Sequence, residues 1–189
     1  STFESWSLGA DYSLILFTSA DEQGQKVLRS HDDLYLYFPD AEEVIRLSGS
    51  ALRDSLLGSD LSYEDMTGDK SLLDSYQVTE TTQETLDGLS VYRIKLSALR
   101  PSVAYPTQEL WIDATQFSTI KAHKYSLNGK LLKVQTVLAL SEQAGYRFAT
   151  HSRIEDHLKG NSATDFYIDT IEVDTPLTPD FFSIQELTW

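Results

Sequence analysis

Turn dipeptides at regular intervals constrain this chain more than any other feature. Asp87-Gly88 separates the strand-like run Tyr76–Thr85 from Leu89–Leu96. Asn128-Gly129 separates Ile120–Leu127 from Lys130–Leu140, and Gly160-Asn161 separates Tyr146–Leu158 from Ala163–Val173. Such pairs tolerate positive φ, which two-residue hairpin turns require. Three hairpins in the second half predict an antiparallel meander. The first half reads similarly, with strands expected at Glu4–Leu8, Tyr12–Thr18, Lys26–His31, Leu34–Phe38 and Val44–Ser48, the fourth ended by Pro39-Asp40. The whole chain should carry roughly ten strands.

One segment departs from this pattern. In Ser50–Lys70, Leu52, Leu56 and Leu57 recur at helical spacing, Gly58 is placed to stop that turn, and Ser59 or Asp60 to cap another. A second short helix is expected at Pro179–Leu187, with Thr178 as N-cap. Several strands are apolar on both faces: Tyr12–Phe17, Leu34–Phe38, and Phe166–Ile168 followed by Ile171 and Val173. An antiparallel sheet with one wet face alternates instead. The second face therefore needs a cover. Two arrangements satisfy this: a strongly curved sheet around an apolar interior with Ser50–Lys70 as lid, or a sandwich filled by protein on both faces.

The chain has 189 residues and fits a single domain. At this length roughly 70% of the unfolded surface can be buried, so no disulfide or metal staple is needed. Net charge is −14, from 29 acidic against 15 basic residues. Such a chain repels phosphate backbones, so nucleic acid is not an expected partner, and steady docking on a bare anionic membrane is disfavoured. Cysteine is absent, which removes a disulfide framework, a thiol nucleophile and a zinc–thiolate site. No run approaches the ~18 apolar residues of a membrane span, and no basic, apolar leader is visible at Ser1.

The residues give no catalytic set. The nearest strings to a serine-hydrolase elbow, Ser48-Gly49-Ser50 and Gly58-Ser59-Asp60, lack its glycine spacing, and no phosphate-cradling loop occurs. His151 and His157 lie six apart on an expected strand, about 20 Å, too far to share an ion with Asp156. His31, His123, His151 and His157 are read as surface or edge residues. The adjacent carboxylates Asp32-Asp33, Glu42-Glu43 and Glu155-Asp156 point to opposite strand faces and read as solvated charge. Trp111 and Tyr92 read as sheet packing. No enzyme, metal or cofactor is expected.

The order of motifs resembles one bacterial family. Leu34-Tyr35-Leu36-Tyr37-Phe38-Pro39, then Val44-Ile45-Arg46-Leu47-Ser48, then Arg53–Met66 with its core Gly58-Ser59-Asp60-Leu61-Ser62-Tyr63-Glu64-Asp65, are similar to the outer-membrane lipoprotein-sorting proteins of the LolA-like superfamily. Leu110-Trp111-Ile112-Asp113, Tyr125–Lys133 and the ending Asp180-Phe181-Phe182 to Leu187 follow in the same order. The likeness spans nearly the whole chain. Tyr35 stands where the family often has Trp, and Ser118 where it often has Pro. The family usually carries a further N-terminal helix and strand before the point where this sequence starts, and the chain is expected to lack them.

The resemblance implies a mainly β (α+β) fold: a curved antiparallel sheet forming an unclosed half-barrel with short lid helices, LolA/LolB-like, over residues 1–189. It implies an exported, periplasmic carrier that binds acyl chains of a lipoprotein or lipid in an apolar concave cavity and moves them toward the outer membrane. The expected cavity residues are Leu34, Leu36 and Phe38 from one strand, Leu56, Leu57, Tyr63 and Met66 from the lid, and Leu110 and Ile112 from a later strand. Met66 suits variable shapes because its side chain is flexible and polarizable. The alternative is a non-catalytic interaction module working with a membrane transporter of the resistance–nodulation–division type, in which a free strand edge captures its partner.

Overall fold

The computed structural model describes residues 1–67, 72–160 and 162–188, and for residues 49 and 50 the backbone only. Its strands form two antiparallel sheets, neither closed into a barrel. The first contains β1 (Phe3–Leu8), β2 (Tyr12–Phe17), β3 (Lys26–Ser30), β4 (Asp33–Phe38) and β5 (Glu43–Leu47), side by side in chain order. The second contains β6 (Tyr76–Leu86), β7 (Leu89–Ala98), β8 (Thr107–Asp113), β9 (Thr119–Tyr125), β10 (Leu131–Gln143), β11 (Tyr146–Asp156) and β12 (Ser162–Tyr167), also in chain order. In the chain between β5 and β6 come two 3-10 turns, Gly49–Arg53 and Leu56–Gly58, then α1 (Tyr63–Thr67) and α2 (Leu72–Ser75). The chain ends in a 3-10 turn, Pro179–Phe182, and α3 (Ile184–Leu187).

The chain divides into two compact units. One comprises Ser1–Asp54, Tyr63–Ser71 and Thr175–Trp189, and the other Ser55–Ser62 and Leu72–Asp174. In the first, alternation sorts β4 into two apolar faces. Leu34, Leu36 and Phe38 point one way, and Tyr35 and Tyr37 the other. The tyrosine face is covered by the chain's own C-terminus. Phe182 (2% exposed) and Leu187 (0%) pack with Leu14 and Leu28, and Trp6, Tyr12, Tyr35, Tyr37, Val44, Leu177 and Phe181 surround them. Each such burial contributes about 1.5–3 kcal/mol. Lys26 fixes the end of α3 by donating from Nζ to the carbonyls of Glu186 (3.1 Å) and Leu187 (3.0 Å). The cover that the double-sided strands demanded is thus, on this face, the expected helical ending.

The second unit is a seven-stranded meander. Tyr76, Leu96, Leu110 and Ala122 form the core of one face, with Ile94, Ala98, Val103 and Ile112 against it. The opposite face is ionic. Lys95 Nζ lies 2.8 Å from Glu80 and 3.9 Å from Glu109, while Arg93 lies 3.6 Å from both Glu80 and Glu84. Trp111 shares that face, donating from Nε1 to Glu84 Oε1 at 2.7 Å, and is 8% exposed.

Four expectations are corrected. Twelve strands are present among the described residues, not roughly ten. One missed hairpin joins β10 to β11 through Ala144-Gly145, both at positive φ (51° and 81°); an alanine in the first position gives no local signal, because only Gly, Asn and Asp adopt that region readily. The last strand stops at Tyr167 rather than Val173. Thr178 precedes the terminal turn but makes no side-chain cap; Ser183 caps α3 instead, accepting from the Glu186 N–H. Asn161, expected in the last hairpin turn, and Gly68, Asp69 and Lys70, the end of the expected lid, lie outside the described residues.

Candidate functional site

Five of the residues expected to meet an acyl chain fall in the first unit: Leu34, Leu36, Phe38, Tyr63 and Met66. Leu34 is fully buried and Leu36 is 7% exposed. Phe38, Tyr63 and Met66 are half-buried. What unites them is a residue that the sequence reading missed. Arg29 on β3 is the cross-strand partner of Leu34, so its side chain leaves the sheet on the leucine face. There its Nη2 donates to Glu64 Oε2 at 2.7 Å and its Nε to Thr67 Oγ1 at 3.1 Å. Arg29 is 3% exposed. A guanidinium this deep is tolerated because its fork is paired. The pairing fastens α1, and with it Tyr63 and Met66, to the sheet that carries Leu34, Leu36 and Phe38. Burial, with the Asp54 charge, raises the Tyr63 phenol above its ordinary value, so it stays neutral. The available signal was a cation two residues from Val27, on the same face of β3.

Leu56, Leu57, Leu110 and Ile112 fall in the second unit. Leu110 (6% exposed) belongs to the core of the apolar face, and Ile112 packs half-buried against it. Leu56 (5% exposed) and Leu57 sit in the short turn Leu56–Gly58, where Leu57 (φ 50°) and Gly58 (φ 73°) take left-handed backbone. This turn is closed by the Leu56 N–H donating to the Leu61 carbonyl at 2.8 Å and by a bridge between Ser55 and Ser62.

Asp60, expected to cap a helix, does something else. It is 5% exposed, and its carboxylate accepts from the hydroxyls of Ser162 and Thr164 (the latter at 2.9 Å), both on edge strand β12. Its N–H donates to Thr164 Oγ1 at 3.0 Å, and its carbonyl accepts from Lys133 Nζ at 2.6 Å. Lys159 Nζ donates to Ser55 Oγ and to the Ser59 carbonyl (3.0 Å). Ser62 exchanges a hydrogen bond with the Tyr105 hydroxyl at 3.1 Å, and the Tyr76 hydroxyl donates to the Tyr105 carbonyl at 2.9 Å. Residues 55–62 are therefore bound to the sheet by polar contacts from β10, β12, the β11–β12 turn and the β7–β8 loop. The serines and threonines of β12 carry no pattern that would have announced this.

Several titratable groups outside these contacts are paired in ways that serve structure. His151 lies 2.9 Å from Asp165 and stacks on Tyr167 with ring centroids 4.2 Å apart, while Arg153 lies 2.7 Å from the same carboxylate. These two partners, Arg153 first, hold Asp165 below its ordinary value. His123 packs edge-on to Trp111 and bonds the Tyr125 hydroxyl at 3.2 Å. Tyr125 donates to Glu109 at 3.1 Å, and burial together with that carboxylate pushes its phenol up to about 12. Among the described residues no cluster of His, Cys, Asp and Glu could hold a metal ion, and no helix is long and apolar enough to cross a membrane.

Three solved structures share this fold. A domain assigned to outer membrane lipoprotein sorting from Vibrio parahaemolyticus superposes with TM-score 0.88 at 22% identity, over 99% of this chain and 82% of the other. A LolA superfamily protein from Nitrosomonas europaea gives TM-score 0.83 at 25% identity, over 97% and 81%. A DUF1329 family protein from Desulfovibrio piger gives 0.85 at 26%, over 98% and 82%. A family model described only as that of an uncharacterised protein matches residues 9–189. No curated protein matches.

Proposed function

The chain belongs to an uncharacterised protein family with the LolA-superfamily fold, and from that premise we propose that it is a non-catalytic periplasmic carrier of acyl chains, moving a lipoprotein or lipid toward the outer membrane. The supporting observation is the state of the apolar side chains. Leu34, Leu36, Leu56 and Leu110 are buried, whereas Phe38, Leu57, Tyr63, Met66 and Ile112 keep accessible surface. The second set supplies first contacts on each unit, and the first set is reached only when polar fastenings open. Arg29 with Glu64 and Thr67 is the fastening in the first unit, and Asp60 with Ser162 and Thr164 in the second. Each methylene removed from water adds about 0.8 kcal/mol, so a partly inserted chain binds usefully and still leaves.

Native mass spectrometry followed by solvent extraction tests this: a stoichiometric acyl-containing adduct is expected. A clean apo mass after incubation with bacterial lipid extract sinks the carrier reading. Titration with a fluorescent fatty acid then separates the units, since Met66→Asp perturbs one and Leu57→Asp the other. The second reading is a non-catalytic interaction module, with a transporter of the resistance–nodulation–division type as partner. It draws on edge strand β6, whose residues Gln77–Gln83 are exposed and leave one side of the backbone ladder open to a partner strand.

A further inference from the structure

The strands of the seven-stranded sheet run antiparallel in chain order, so its connections fall alternately at two ends. At one end lie α2, the β7–β8 loop, the β9–β10 turn and the β11–β12 turn. Each presents an exposed leucine: Leu73 (67%), Leu99 (52%), Leu127 (90%) and Leu158 (58%). The exposed charges beside them are Arg100, Lys130 and Lys159 against Asp74, while Asp156, which accepts from the Leu158 and Lys159 N–H groups, is buried at 5% exposure. This reverses the sign of a chain whose net charge is −14. At the opposite end Leu89 (48%), Phe117 (75%) and Leu140 (39%) are also exposed, but their neighbours are Asp87, Asp113 and Glu142 against Arg147. Leucines are not turn formers; a hairpin turn asks for small polar residues with positive-φ tolerance. Leu127 beside Asn128-Gly129 contributes nothing to its turn and is almost wholly in water.

We propose that the end bearing Leu73, Leu99, Leu127 and Leu158 docks on a phospholipid surface. The leucines enter the boundary between headgroups and acyl chains, and Arg100, Lys130 and Lys159 meet lipid phosphates. Charge complementarity selects this end over the other: apolar tips exist at both, but only one can approach an anionic interface without repulsion. Lys159 also donates to Ser55 and to the Ser59 carbonyl, which flank the Leu56–Gly58 turn, so a phosphate that draws this cation away loosens a contact of that segment. The surface is independent of the carrier reading, because it needs no cargo.

Vesicle flotation at low salt tests it, with vesicles of phosphatidylethanolamine carrying phosphatidylglycerol as the minor component. The full chain is expected to float with them. Leu127→Asp combined with Leu158→Asp should lower the bound fraction about tenfold, since each exposed tip is then charged. Arg100→Glu with Lys130→Glu should abolish the dependence on phosphatidylglycerol. Phe117→Asp with Leu140→Asp, at the opposite end, should float like wild type. All these positions are exposed, so every variant should keep the wild-type urea midpoint. Failure of the wild-type chain to float overturns the proposal and leaves a protein partner for these leucines. Retained flotation of the Leu127/Leu158 variant, or equal loss in the Phe117/Leu140 variant, overturns it too. Fatty-acid binding measured in parallel keeps the two readings apart: flotation without fatty-acid binding rejects the carrier and leaves the docking surface standing.

Discussion

Replacing Asp60 by alanine isolates the fastening of residues 55–62. The substitution removes two hydrogen bonds in which hydroxyls of Ser162 and Thr164 donate to a buried carboxylate. Hydrogen bonds to a charged group contribute about 1.5–3 kcal/mol each. The Asp60 N–H bond to Thr164 and the carbonyl bond from Lys133 are main-chain features and survive in the variant. Loss of the carboxylate also removes the cost of burying its charge. The net expectation is destabilisation of about 3–4 kcal/mol, a large share of the roughly 5–15 kcal/mol that holds a domain folded. Asp60→Asn keeps one side-chain acceptor and should cost about 1–2 kcal/mol. Urea unfolding gives the global value, and hydrogen exchange the local one. Amides closing the turn, Leu56 (to Leu61 O) and Ser59 (to Leu56 O), should exchange about 10²–10³ times faster at ~1.4 kcal/mol per decade. If the urea midpoint and these exchange rates both stay at wild-type values, the carboxylate does not hold the turn and the argument fails. If the carrier reading is correct, the same variant should take up fluorescent fatty acid faster.

Three other perturbations probe the remaining structure. Phe182→Ala empties a site that is 2% exposed and in contact with the Tyr12 ring (centroids 5.5 Å apart), so it should cost about 3–5 kcal/mol in urea unfolding. Arg29→Met should cost about 2 kcal/mol, since Glu64 keeps some solvent when its partner is lost; a double-mutant cycle with Glu64→Gln should show coupling of about 1 kcal/mol. Burial holds the His123 imidazole below its ordinary 6.5, with Lys121 and His157 acting in the same direction and Glu109 and Glu155 opposing. The folded state therefore binds this proton less readily than the unfolded state. The His123 contribution is fully present above the ordinary value and declines as pH falls through 6.5 toward the lower folded value. Unfolding midpoints measured from about pH 7.5 down to about 5.5 should fall less steeply in His123→Phe than in wild type, and identical slopes would refute the assignment.

How much was legible can be judged element by element. Asp87-Gly88 and Asn128-Gly129 announced their hairpins because the backbone angles of a tight turn admit few residue types. Ala144-Gly145 did not, since its alanine is held at φ 51° by the pairing of β10 with β11 around it rather than by its own preference. The double-sided strands predicted a cover, and the terminal Phe182 and Leu187 supply it on the tyrosine face. The helical spacing of Leu52, Leu56 and Leu57 yielded only 3-10 turns, because a few residues bounded by glycine cannot meet the cost of helix nucleation. The family likeness rested on ordered motifs and is matched by the shared fold.

The sequence by itself determined the antiparallel β architecture, the turns at Asp87-Gly88 and Asn128-Gly129, and the acidic, cysteine-free chemistry. These follow from local backbone preferences, side-chain periodicity and composition, all of which are readable within a few residues. The tertiary structure alone decided that Arg29 meets Glu64 and Thr67, that Asp60 meets Ser162 and Thr164, and that Leu99, Leu127 and Leu158 share one end of a sheet with Arg100, Lys130 and Lys159. Those partners lie tens of residues to a hundred residues apart, and polar side chains carry no periodicity that points to a distant partner. Their meeting is fixed only when strand register brings the segments together.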